Sequence, residues 1–75
     1  MFNRDVFSKR LKILRSERKM TMVDIADALN ISKQSIHQWE TMRTIPNTDK
    51  LTDLADFFDV SLDYLVGRSD NPARH

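Results

Sequence analysis

The sequence predicts an all-α fold made of five short helices, and three observations lead to this prediction. The 75 residues include only one glycine and two prolines, too few for a sheet-rich fold with many tight turns. Apolar side chains recur at the spacing of a helix face in successive segments. Serine or threonine, which favour the N-cap position, precedes four of these segments.

The first two helices are predicted from their apolar spacing and from the residues at their ends. Residues 5–19 form the first helix, with one apolar face made by Phe7, Leu11 and Leu14. Thr21 is a candidate N-cap for the second helix, and Asp24 three residues later completes a capping-box pattern. Asn30 is expected to end that helix, because asparagine tolerates left-handed backbone angles better than other non-glycine residues.

The other three helices follow with short breaks between them. Ser32 is the predicted N-cap of the third helix, which continues to about Thr41. Thr48 is the predicted N-cap of the fourth helix. Ser61 is that of a short fifth helix, which Gly67 ends as the residue beyond its C-cap.

Together the predicted helices supply one apolar core. Its members face inward at helical spacing: Phe7, Leu11, Leu14, Ile25, Leu29, Ile36, Trp39, Leu51, Leu54, Phe58, Leu62 and Leu65. Ile45, in the loop between the third and fourth helices, is expected to point toward the same core. A chain of this length buries only about 60–65% of its unfolded surface, so its margin of stability is small.

The third helix carries a row of polar side chains on the face away from this core. These residues are Lys33, Gln34, Ser35, His37 and Gln38, and no acidic residue precedes Glu40. Such a helix is suited to the major groove of DNA, which is wide enough to admit it and presents hydrogen-bonding base edges. An ordinary solvated helix face is the alternative interpretation of the same row.

Charge is distributed unevenly along the chain, although the net charge is only +1. Residues 1–20 contain seven basic and two acidic side chains, a balance of +5, whereas residues 48–66 contain five aspartates and one lysine, a balance of −4. This asymmetry favours one orientation on a polyanion. Two solvated helix faces are an equally common explanation.

Several function classes have little support in the sequence. There is no cysteine, no apolar run near the roughly 20 residues of a membrane span and no glycine-rich phosphate loop. His37 and Glu40 have the i, i+3 spacing of two metal ligands but lack a third candidate, so no metal site is predicted. We therefore expect a cytoplasmic protein that is not an enzyme, needs no cofactor and does not bind a membrane.

The motifs together resemble a known family. The helix-turn-helix in residues 21–46, with Trp39-Glu40 and Ile45-Pro46, resembles the lambda-repressor-like (Cro/cI, Xre-type) domain, as does LADFFDVSLDYLVG at residues 54–67. The resemblance covers roughly residues 7–67. It implies a five-helix orthogonal bundle, assigned to residues 1–68, that binds a palindromic operator as a homodimer. Residues 69–75 are predicted to be a flexible tail or the start of a linker.

Site residues follow from this resemblance by position. Base contacts fall on Lys33, Gln34 and Gln38, and His37 lies on the same face, in reach of a base edge or a phosphate. Contacts to the DNA backbone fall on Thr21, Met22, Ser35, Arg43 and Thr44. The resemblance also pairs Arg15 of the first helix with Glu40 of the third in a buried structural ion pair.

Two departures from the family pattern leave a second function open. Met22 stands where the family usually has glutamine, and Thr41-Met42 stands where it often has Asn-Gly. The first hypothesis is a sequence-specific transcriptional regulator, specifically a repressor of phage or prophage type, acting on double-stranded DNA. The alternative is an antitoxin or protein-interaction module with the same fold. Its protein partner would be an antirepressor or a toxin.

Overall fold

The structure is a computed structural model that describes residues 3–73. The first two residues of the predicted domain (1–68) and the last two of the predicted tail (69–75) lie outside the described residues. Its helices are α1 (Arg4–Glu17), α2 (Met22–Leu29), α3 (Lys33–Glu40), α4 (Thr48–Phe58) and α5 (Leu62–Leu65). No strand occurs within residues 3–73, and the predicted all-α, five-helix fold is confirmed. Helix α3 packs against α1 and α2, and α5 packs against α1 and α4.

Each of these helices begins at a polar residue whose side chain accepts an N–H group from the first turn. The caps are Asn3, Thr21, Ser32, Asn47 and Ser61. The capping box at Thr21 is confirmed, since Thr21 and Asp24 exchange hydrogen bonds of 2.9 and 3.1 Å. The prediction that Thr48 is a cap is wrong, because Asn47, a residue type at least as favourable, accepts from the Lys50 N–H at 2.9 Å.

Left-handed backbone conformations end α2 and α4 and follow the C-caps of α1, α3 and α5, at Lys19, Met42 and Gly67. Asn30 has φ 58° and ψ 47°, as predicted, and Asp59 ends α4 in nearly the same conformation. Gly67 follows the C-cap Val66 of α5 with φ 85°. A Cβ atom on Gly67 would lie 2.8 Å from Cβ of Asn3, so the close approach of α1 also favours glycine at this position.

The predicted core is confirmed for most helical positions and wrong at its edges. The buried members that were predicted are Phe7, Leu11, Leu14, Ile25, Ile36, Trp39, Leu54, Phe58 and Leu65, and the structure adds Ala26, Ala55 and Val60. Leu29 and Leu51 are only partly buried, and Leu62 is 40% exposed. Ile45 is 43% exposed and its neighbour Pro46 is buried. A residue before proline favours an extended backbone, in which successive side chains point to opposite sides.

Three arginines from the basic part of the chain bond to the protein itself. Arg15 pairs with the last residue of α3. Arg18 donates to the carbonyls of Phe57 and Phe58 at the C-terminal end of α4, and its guanidinium lies 5.4 Å from the centre of the Phe58 ring. Arg10 bonds to the segment after α5. The balance of +5 therefore overstates the charge that this region offers to a polyanion.

The segment after α5 folds back along the domain. Arg10 donates to the Ser69 carbonyl at 2.6 Å and to Asp70 Oδ1 at 2.8 Å. The Ser61 N–H donates to the Pro72 carbonyl at 2.9 Å. Hydrogen bonds thus connect the first four residues of the expected tail to α1 and to the start of α5, and the flexibility of residues 69–75 stays a prediction.

Candidate nucleic-acid interface

Helix α3 has one buried face and one exposed face. The buried side chains, toward α1 and α2, are Ile36, Trp39 and Glu40. Lys33, Gln34 and His37 are all exposed, and their i, i+1, i+4 spacing puts them on one side of the helix. Three of the four residues predicted to contact bases therefore form one accessible row of hydrogen-bonding groups.

Gln38, the fourth predicted base-contacting residue, is half-buried and forms hydrogen bonds with the loop after α3. Its main-chain carbonyl accepts from the Arg43 N–H at 2.9 Å and from the Thr44 N–H at 3.5 Å. The Thr44 hydroxyl also lies 3.5 Å from Gln38 Oε1. Gln38 is therefore restrained by the loop, whereas Gln34 is free to orient toward a ligand.

At the start of α2, the structure limits what Thr21 and Met22 can offer to a phosphate. The Thr21 N–H is taken by the carboxylate of Asp24, and the Thr21 hydroxyl accepts from the Asp24 N–H. Met22 is partly buried against the core, so only part of its side chain is exposed. The Met22 N–H remains available to a phosphate, because backbone donors in the first turn of a helix have no acceptor within that helix.

The other predicted backbone contacts lie at the two ends of α3. At the start, Ser35 is half-buried and its hydroxyl lies 3.0 Å from Ser32 Oγ. Beyond the end, Arg43 and Thr44 are both exposed. Met42 is 43% exposed and has φ 65°, so a bulky residue takes the left-handed conformation that glycine would occupy without strain.

The Arg15–Glu40 pair lies behind this surface and joins α3 to α1. Arg15 Nε donates to Glu40 Oε2 at 2.7 Å and Nη2 donates to Oε1 at 3.0 Å. The Glu40 side chain is 2% exposed and that of Arg15 is 25% exposed. The hydrogen bonds from Arg15 to Glu40 outweigh burial and raise the pKa of Arg15 above its ordinary value, so the guanidinium stays charged.

Ser8 is a residue of this region that the sequence analysis did not single out. It is 3% exposed, and its hydroxyl donates to the main-chain carbonyl of Glu40 at 2.6 Å. The available signal was its position: Ser8 lies seven residues before Arg15, two helical turns along the same face of α1. Both residues of α1 thus bond to Glu40, one to its side chain and one to its backbone.

Comparison with known proteins agrees with this architecture. Residues 11–65 match the family model HTH_3, described as a helix-turn-helix. The chain belongs to this family, which is of the Xre/Cro/cI type. The resemblance predicted from the sequence is therefore confirmed, and the fold is a helix-turn-helix DNA-binding fold.

Relatives of this HTH_3 domain include three HTH-type regulators. YobD of Bacillus subtilis (strain 168), an uncharacterized regulator, is 39% identical over 67 residues, covering 89% of this chain and 60% of that protein. ImmR of the same strain is 36% identical over 62 residues, covering 83% of this chain and 49% of ImmR. The transcriptional activator BcrR of Enterococcus faecalis is 32% identical over 60 residues, covering 80% and 29%. The chain thus spans about 60% or less of the length of these relatives.

A solved structure has the same fold as this HTH_3 domain. The solution structure of the SOS-response transcriptional repressor LexA from Eubacterium rectale matches with a TM-score of 0.80 and 27% sequence identity. The match covers 84% of this chain and 67% of that chain.

Metal ligation and membrane spanning have no support in the described part of the chain. Among residues 3–73, no group of three or more His, Cys, Asp or Glu side chains is arranged to hold a metal ion. No helix in this range has both the length and the apolar composition needed to cross a membrane.

Proposed function

We propose that this chain is a sequence-specific DNA-binding transcriptional regulator that inserts α3 into the major groove of double-stranded DNA. The single observation that carries this proposal is the exposed row of Lys33, Gln34 and His37 on a helix whose opposite face is buried. A helix docked in this way presents its polar side chains to base edges while its apolar face stays in the core.

The chemistry of each group suggests its contact. Gln34 has a free amide that can bond to N6 and N7 of adenine, and Lys33 can donate to O6 and N7 of guanine. Gln38 is expected to make a more restricted contact, because the loop already occupies its carbonyl and lies beside its amide oxygen. Arg43 and the Met22 N–H are suited to phosphates, which fix the position of a protein on DNA without specifying sequence.

We further propose that two copies bind a palindromic operator as a homodimer, with half-sites about one helical turn apart, roughly 34 Å. A repressor of phage or prophage type is the form we favour. The relatives include one protein named as an activator and a structural neighbour named as a repressor, so the family assignment is compatible with either direction of regulation.

Selection from a random pool of duplex DNA tests the proposal and identifies the operator. We expect an enriched motif with two-fold symmetry. Binding to that motif, measured by fluorescence anisotropy, should weaken by about 1–3 kcal/mol in Gln34→Ala, with preference relaxed at one base pair. Arg43→Ala should weaken binding to all sequences and reduce the salt dependence by about one counterion. Thr52→Ala, an exposed change on α4, is the control and should leave binding unaltered.

A protein-interaction module, such as an antitoxin, is the second candidate, and it is favoured by the exposed thioether of Met42 beside Arg43. Met22, the other departure from the family pattern, gives less support, because its side chain is partly buried against the core. No binding of random duplex DNA at micromolar protein and low salt would favour this candidate. An operator preference unchanged in both Gln34→Ala and Gln38→Ala would refute α3 as the recognition helix.

A further inference from the structure

The C-terminal end of α3 is held by two different sets of donors. The last four carbonyl groups of a helix do not accept hydrogen bonds from N–H groups of the same helix, so they need other donors. Three of them, from residues 37–39, accept N–H groups of the following loop at 3.0, 2.9 and 3.4 Å. The fourth, that of Glu40, accepts instead from the Ser8 hydroxyl of α1 at 2.6 Å.

The Ser8 bond is directed between helices. A serine in a helix often bonds to a carbonyl of its own preceding turn. Here the hydroxyl donates to Glu40, which is 32 residues away in sequence, and both residues are 3% exposed. Because Arg15 holds the carboxylate of the same residue, Glu40 is fixed to α1 at its backbone and at its side chain.

From this geometry we infer that Ser8 is a positioning residue for sequence recognition, an inference that rests on the proposed function. The Arg15–Glu40 pair alone attaches α3 through a side chain with several rotatable bonds, whereas the Ser8 bond attaches the helix backbone directly. Recognition of base edges requires that the helix be held to within about 0.5 Å of its productive position. Contacts to phosphates tolerate more displacement, so Ser8 affects sequence preference more than overall DNA affinity.

The test compares Ser8→Ala with Ser61→Ala, a matched control. Both changes remove one serine hydroxyl that makes a hydrogen bond, but Ser61 caps α5, and its hydroxyl bonds to Tyr64 of α5 and to Asn71 of the segment after it. The measured quantity is the ratio of affinities for the selected operator and for random duplex DNA, at a temperature where both variants are folded. Ser8→Ala should lower this ratio by about two- to tenfold, the range for one buried hydrogen bond, and Ser61→Ala should not.

A second measurement separates this inference from the proposed function. In the free protein, Ser8→Ala should accelerate amide exchange of Thr41, Met42 and Arg43, whose N–H groups bond to the end of α3, more than Ser61→Ala does. If the wild-type chain prefers no DNA sequence, the proposed function fails, and amide exchange alone decides the role of Ser8. Equal effects of the two variants, in the ratio or in exchange, overturn the inference. If Ser8→Ala does not fold, Ser8→Cys, with a weaker donor of similar size, replaces it with the same expectations at smaller amplitude.

Discussion

Removing Arg15 should destabilise the domain far more than removing an exposed cation. In Arg15→Ala, the Glu40 carboxyl group stays in a position where its side chain is 2% exposed, and it loses hydrogen bonds of 2.7 and 3.0 Å. Removing one partner of a buried ion pair lowers the free energy of unfolding by about 3–5 kcal/mol, because the other partner is left unpaired. Because the Arg15 side chain is 25% exposed, water can reach part of the vacated space, and we expect about 3 kcal/mol.

That loss is a large share of the stability of so small a domain. At about 0.05–0.15 kcal/mol per residue, 75 residues have a total stability of roughly 4–11 kcal/mol. The change in the free energy of unfolding can be measured by urea denaturation followed by Trp39 fluorescence, because Trp39 is the sole tryptophan and is buried. The melting temperature should fall by roughly 12–24 °C, since about 4–8 °C corresponds to 1 kcal/mol at this size.

Two further variants test the reasoning behind this magnitude. Arg15→Met combined with Glu40→Leu should recover most of the stability, because no charge is then left buried. Lys12→Ala, an exposed change on α1, is the control and should alter the free energy of unfolding by less than about 0.5 kcal/mol. A cost below about 1 kcal/mol for Arg15→Ala, typical of a solvated pair, would refute the view that Glu40 is desolvated.

Two other changes test the loop after α3 and the segment after α5. Met42→Gly should raise the free energy of unfolding by about 1 kcal/mol, because glycine adopts φ 65° without strain; a decrease in urea titration would contradict this. Arg10→Ala should release the segment after α5, so that exchange of the Ser61 amide, bonded to the Pro72 carbonyl, accelerates by roughly tenfold. Asp70→Asn is the control: this side chain is fully exposed and keeps an oxygen that can accept from Arg10, so exchange of the Ser61 amide should not change. Equal exchange in Arg10→Ala and wild type would contradict the prediction.

Much of the candidate interface was predictable because it depends on neighbours within one helical turn. The capping box of Thr21 and Asp24 and the left-handed turn at Asn30 are local features, and they set the start and end of α2. The exposed row on α3 follows from helical periodicity together with the buried positions of Ile36 and Trp39.

The sequence by itself therefore determined the number and type of the helices, most of their caps and the polar character of the α3 surface. Only the tertiary structure decided the partners of Ser8, Arg10 and Arg18, the exposure of Ile45 and the docking of the segment after α5. These features depend on contacts between residues 10 or more positions apart, or on which side of a loop faces a neighbouring helix. Such contacts are set by the packing of whole helices, which no residue pattern within a single turn specifies.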